Sequence, residues 1–155
     1  MKEIILNNGV RMPIMDLIAF HEIVPAVNQI EIHPFYQRYE DVEFMRRNSV
    51  QPEAWGPFAE GRNNIFQNEV LLSIAEKYKR TVAQVILRWL IQRDIVAIPK
   101  TVKKERMIEN LGVFDFELSE EDMEKIKTLD KKESAFFSHR DPEVVRWLTS
   151  RKLDI

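Results

Sequence analysis

The stretch from Ile95 to Asn110, IVAIPKTVKKERMIEN, loads Lys100, Lys103, Lys104 and Arg106 just after a short apolar run that stops at Pro99. Residues just past the C-terminal end of a parallel strand sit where α/β folds bind ligands. A helix N-terminus at that place offers free N–H groups and a positive dipole, both of which favour a phosphate. Lys100, Thr101, Lys103 and Arg106 therefore make a clamp suited to a nucleotide phosphate. The same spacing also suits a solvated basic loop, with Lys103 and Lys104 as ordinary surface cations. The residues alone leave both readings open.

Two other clusters carry chemistry. In NQIEIHP, Asn28 and Gln29 fall at an expected strand interior, where a buried amide must find partners in a ligand or in a neighbouring strand or loop. His33 lies near the end of that strand and reads as a core histidine. In EAWGPFAEG, Trp55 stands at a strand end before glycine, where it offers its face to a flat ring or packs in the core. His21 and His139 are isolated, so no metal site is expected. Among Tyr36, Tyr39 and Tyr78, none is coupled by sequence to a Lys and an Asp in a catalytic pattern.

The elements that must position these residues alternate. EIILNNGVRMPI reads as a hairpin, Ile4 to Leu6 and Val10 to Met12 around an Asn7-Asn8-Gly9 turn. Met15 to Glu22 is a short helical piece. A strand from Val27 ends before Pro34, a helix from Asp41 to Asn48 has Asp41 near its N-cap, and Val50 to Trp55 is strand-like despite Pro52. Gly56 to Asn64 is a loop by its Gly, Pro and Asn content. Glu69 to Tyr78 and Val82 to Arg93 carry apolar stripes at helical spacing, the second opened by a Thr81-x-x-Gln84 capping box. Ile95 to Ile98 reads as a buried strand, Glu105 to Asn110 as a helix, and Ser119 caps a helix from Glu120 to Leu129. In the tail Asp141 is an N-cap with Pro142 in first helical position.

Helix and strand in strict alternation predict parallel strands with crossover helices, an α/β layer or barrel. Only three such strands are visible, whereas a closed eight-stranded barrel takes about 250 residues. The chain has 155, enough for one domain with a real core. Its 45% apolar and 31% charged composition is that of an ordinary globular protein. A net charge of −2 excludes a whole-surface nucleic-acid binder, so any anion site is local. No cysteine is present, which removes disulfides and thiolate chemistry together. Without a signal-peptide core or an apolar run near the roughly 18 residues of a membrane span, a cytoplasmic location is expected and no membrane partner.

Taken together and in order, these segments resemble the aldo-keto reductases, NADP(H)-dependent (β/α)8-barrel oxidoreductases of carbonyl compounds. LNNGVRMPI resembles the family's N-terminal hairpin. PAVNQIEIHPFYQ, QPEAWGPFAEG and AIPKTVKKERMIENLGVFDFELSEEDMEKI resemble its last three β/α units and the first of its C-terminal additions. The implied fold is a partial (β/α)8 TIM barrel in one domain, with the hairpin in 1–14, β/α units in 15–118 and the C-terminal helix and tail in 119–155. By the resemblance, Gln29 would hydrogen-bond the nicotinamide carboxamide, Trp55 would stack on its ring and Phe58 would lie in the loop over the pyrophosphate. Lys100, Thr101, Val102 and Arg106 would hold the 2′-phosphate and ribose, and Glu109 with Asn110 would contact adenine.

The chain also departs from the family. Pro13-Ile14 is followed at once by Met15-Asp16-Leu17-Ile18, which resembles the helix after the fifth barrel strand. The segment carrying the family's catalytic Asp, Tyr, Lys and His has no counterpart, so no residue here is expected to be catalytic. The expectation is an internally deleted reductase, inactive as a lone chain, with weak or partial NADP(H) binding. The alternatives are a non-enzymatic module that oligomerises through exposed strand edges, or a fragment of a disrupted gene.

Overall fold

The computed structural model describes residues 3–5, 11–13, 24–138 and 141–150. Its contacts divide the chain into two units, Met1–Pro25 with Phe136–Ile155, and Ala26–Ala135.

In the first unit, β1 (Glu3–Ile5) pairs antiparallel with β2 (Arg11–Pro13), Ile4 opposite Met12, one residue from the expected hairpin strands. The Asn7-Asn8-Gly9 turn and the Met15–Glu22 helix lie outside the described residues. The tail forms the helix Pro142–Ser150, with Asp141 Oδ1 accepting from the Glu143 N–H at 2.9 Å as an N-cap should.

The second unit is built on three parallel strands in the order β3 (Val27–Glu31), β4 (Gln51–Trp55) and β5 (Val96–Ala97). Pro52 is accommodated in the middle strand for a specific reason. The Gln51 N–H points at β3, donating to Ala26 O at 2.9 Å. The nitrogen of Pro52 therefore points to the other side, below the reach of β5, which pairs only with Glu53 and Ala54.

The helices are α1 (Tyr39–Arg47), α2 (Glu69–Tyr78), α3 (Val82–Gln92), α4 (Lys104–Leu111) and α5 (Glu120–Lys127). One face of the sheet is covered: α1 packs on β4 and α3 on β5, burying Val42, Met45, Val85, Ile86, Trp89 and Leu90 with Ala54. The capping box of α3 is realised, Thr81 Oγ1 accepting from the Gln84 N–H and Gln84 Oε1 from the Thr81 N–H. Asn68 Oδ1 caps α2 by accepting from the Leu71 N–H, and Ser119 Oγ caps α5 by accepting from the Asp122 N–H.

Several expectations are corrected. The helix α1 starts two residues earlier than expected: Asp41 lies in its first turn, the N-cap is Arg38 in the left-handed region, and Arg38 Nε donates to Asp41 at 2.6 Å. Residues 59–67 form 3₁₀ turns broken by positive φ at Glu60, Gly61, Asn63 and Asn64, rather than an open loop. The strand after α3 is neither long nor buried. Ile95 is enclosed, but Val96 is 41% and Ile98 63% exposed. A four-residue apolar run predicts burial only if a neighbour exists to cover both sides, and among the described residues β5 pairs with β4 alone.

Candidate nucleotide site

The register of the parallel strands puts Gln29 beside Glu53, and Glu53 beside Val96, on the open face of the sheet. Gln29 is exposed, not interior, and its Nε2 donates to Glu53 Oε1. Asn28 is exposed as well. Trp55, at the C-terminal end of β4, is half-buried and stands in register with Glu31. Phe58 follows in the next turn with its ring 5.9 Å from that of Phe66.

The Lys100–Asn110 stretch leaves the C-terminal end of β5, as the parallel arrangement requires. Thr101 Oγ1 accepts from the Lys103 N–H at 3.1 Å, which folds the loop into the first turn of α4. Lys103, at the N-cap of α4, provides no side-chain acceptor for the helix amides. Those amides remain open to a ligand anion. Among the described residues no carboxylate pairs with Lys100 or Arg106. Val102 is fully presented to solvent, while Glu109 and Asn110 are half-buried one turn further on. The Glu109 carbonyl is held by Gln84 Nε2 at 2.9 Å, so α3 fixes where this turn of α4 sits.

This donor set fits a phosphorylated adenosine. It supplies two cations, a hydroxyl and helix amides without a side-chain cap just past one strand end, and among the described residues no acid pairs with either cation. The nicotinamide end fits less well, since the Gln29 amide is already engaged by Glu53.

Two polar clusters escaped the sequence. Glu31 and His33, two apart and both buried, meet at 3.0 Å between Oε1 and Nε2. His33 Nδ1 accepts from the Phe35 N–H, leaving the ring proton on the nitrogen that faces Glu31. Glu31 also accepts from Ser134 Oγ at 2.6 Å and from the Ala135 N–H at 2.9 Å. Burial raises the Glu31 carboxyl, but these hydrogen bonds outweigh it and hold its pKa below the ordinary value. The arrangement has the composition of a Ser-His-acid triad but not its connectivity, because Ser134 bonds the carboxylate and not the imidazole.

The second cluster brings a phenol, a lysine and an aspartate together, in a contact between helices that the sequence did not signal. Tyr78 OH and Lys77 Nζ each donate to Asp122 Oδ2 at 2.6 Å, and Ser119 Oγ donates to the same oxygen at 2.7 Å. Tyr78 Oη also accepts from the Ser119 N–H at 3.0 Å, so the phenol is engaged on both counts. The spacing of 44 residues between Tyr78 and Asp122 hid this cluster. It joins α2 to α5.

Among the described residues no group of acids and histidines could hold a metal ion, and no helix is long and apolar enough to cross a membrane.

The sequence model of the Aldo/keto reductase family matches residues 13–131. The chain belongs to the aldo/keto reductase family. It is 48% identical over 118 residues to glyoxal reductase of Bacillus subtilis, covering 76% of this chain and 42% of that enzyme. Aldose reductase C of Dictyostelium discoideum is 42% identical over 128 residues, covering 83% of this chain and 40% of the other. Among solved structures, the aldo-keto reductase MGS-M4 from a Medee basin deep-sea metagenome library superposes with a TM-score of 0.77 at 37% identity, over 82% of this chain and 47% of that one. A variant of Gox0644 in complex with NADPH superposes with a TM-score of 0.73 at 39% identity, over 83% of this chain and 46% of that one. The chain thus spans about four-tenths of the length of these curated relatives. Its relatives in this family include NADP-dependent oxidoreductases.

Proposed function

We propose that this chain is an internally shortened aldo/keto reductase that keeps the clamp for the adenosine end of NADP(H) and lacks the groups that transfer hydride and proton to a carbonyl. The observation that carries the reading is the first turn of α4, without a side-chain cap, next to Lys100 and Arg106, which pair with no carboxylate among the described residues. Arg106 suits the 2′-phosphate because its planar fork can bind two oxygens at once, with Lys100 as a point charge beside it. Thr101 and Val102 would flank the ribose, Glu109 and Asn110 the adenine. Gln29, Trp55 and Phe58 would serve the nicotinamide and pyrophosphate, with Gln29 partly withdrawn by Glu53. Binding is accordingly weak, and the contribution of the clamp depends on the 2′-phosphate.

A fluorescence titration with NADPH and, in parallel, NADH tests this. Measurable NADPH binding that exceeds NADH binding and disappears in Arg106→Ala supports the clamp. Equal binding of both cofactors, or binding that survives Arg106→Ala, removes it. Oxidation of NADPH by the purified chain in the presence of a reactive aldehyde would sink the claim of inactivity.

A further inference from the structure

The helix that carries the clamp has a second face that no described residue covers. None of the residues of α4 is buried, although its apolar positions fall at helical spacing. Met107 is 48%, Ile108 63%, Leu111 70% and, just beyond the helix, Phe114 67% exposed. Val96, on the bare side of β5, joins Met107, Leu111 and Phe114 around a groove of about 620 Å³. A continuous exposed apolar surface of this kind marks an interface.

Charge along the same helix says what fits there. Its start is basic, with Lys103 and Lys104, and its end is acidic, with Asp115 and Glu117 just after the last apolar residue. All four are exposed, and among the described residues none makes an ion pair. An identical helix laid antiparallel across the patch would set each basic start beside the partner's acidic end, with Ile108 and Leu111 near the centre. A parallel arrangement would place like charges together. The patch is therefore self-complementary about a two-fold axis.

We propose that α4 and the free side of β5 form a homodimer interface, in which α4 packs antiparallel on α4 of a second copy and the apolar side chains of each enter the groove of the other. The groove also takes in Thr101 and Asn110, but the variants that test the interface leave Lys100, Thr101, Arg106 and Asn110 unchanged, so its failure and that of the nucleotide reading are distinguishable.

Sedimentation of the full chain over a range of concentrations tests it. A concentration-dependent dimer is expected, and a monomer throughout overturns the proposal. Ile108→Glu changes a residue already largely in solvent and should leave far-ultraviolet circular dichroism intact while abolishing the dimer; a dimer that persists in it overturns the proposal. Reversal of the basic end, Lys103→Glu with Lys104→Glu, should weaken the dimer about tenfold by like-charge contact with the partner's acids. Adding Asp115→Lys and Glu117→Lys to the same chain should restore it. Failure of the second pair to rescue the first overturns the antiparallel arrangement.

Discussion

Tyr78 Oη lies 2.6 Å from Asp122 Oδ2 and ties the last turn of α2 to the first turn of α5. The same oxygen takes Lys77 and Ser119, so one buried carboxylate anchors two helices and holds the cap residue of the second. Removing it leaves the phenol and the cap hydroxyl without their acceptor. Asp122→Ala is expected to lower the free energy of unfolding by about 3 kcal/mol, and Tyr78→Phe by about 1 kcal/mol, in urea denaturation. If Asp122→Ala unfolds at the parent midpoint, the carboxylate is not the anchor.

The same group sets a pH response. Burial raises the Asp122 carboxyl, but the hydrogen bonds from Lys77, Tyr78 and Ser119 prevail and hold its pKa at about 2. Glu31 is also held below its ordinary value. A depressed folded-state pKa contributes stability that is present above the unfolded pKa and lost as pH falls through the folded one. The urea midpoint should therefore be level near neutrality and decline as pH falls from about 4 towards 2, with Asp122 accounting for about 2 kcal/mol of the loss. Asp122→Asn should flatten much of that decline. A parallel decline in the variant would place the acid sensitivity elsewhere.

Glu31 fastens the segment around residue 134 to the end of β3 through Ser134 Oγ and the Ala135 N–H. Exposed Lys131 and Lys132 lie just before this fastening and offer sites to trypsin. Glu31→Gln should speed cleavage there about tenfold, corresponding to about 1.4 kcal/mol of easier local opening. Ser134→Ala, which removes one of the bonds, should have a smaller effect. Unchanged cleavage in Glu31→Gln would mean that other contacts hold the segment.

What the sequence disclosed followed the range of the physics involved. The helix Val82–Gln92 was legible because its capping box, stripe and length are all local. The parallel order was legible because alternation of helix and strand leaves few other layouts. The exposure of Val96, Ile98 and Gln29 was not, since a short apolar or polar run reads the same whether or not a neighbouring strand covers it. The Arg38 left-handed start of α1 and the Asp122 cluster were hidden for a related reason: one depends on a backbone angle, the other on a partner 44 residues away. In the site, the cations of Lys100 and Arg106 were readable from type and spacing, whereas the capture of Gln29 by Glu53 needed the strand register.

Arg93 provides a test of packing by a charged group. Its guanidinium carbon lies 4.1 Å from the Tyr39 ring centroid and 4.5 Å from that of Trp89, while Nη2 donates to the Gln37 carbonyl at 2.8 Å. Burial brings its pKa down to about 10, so it stays charged at neutral pH. The flat group covers both rings and still reaches a backbone acceptor, which an ammonium on a thinner stem cannot do at once. Arg93→Lys should therefore cost nearly as much as Arg93→Met, about 2 kcal/mol or more in urea denaturation, because neither restores the stack together with the bond to Gln37. If lysine instead recovers parental stability, charge alone and not the planar fork holds α3 to the start of α1.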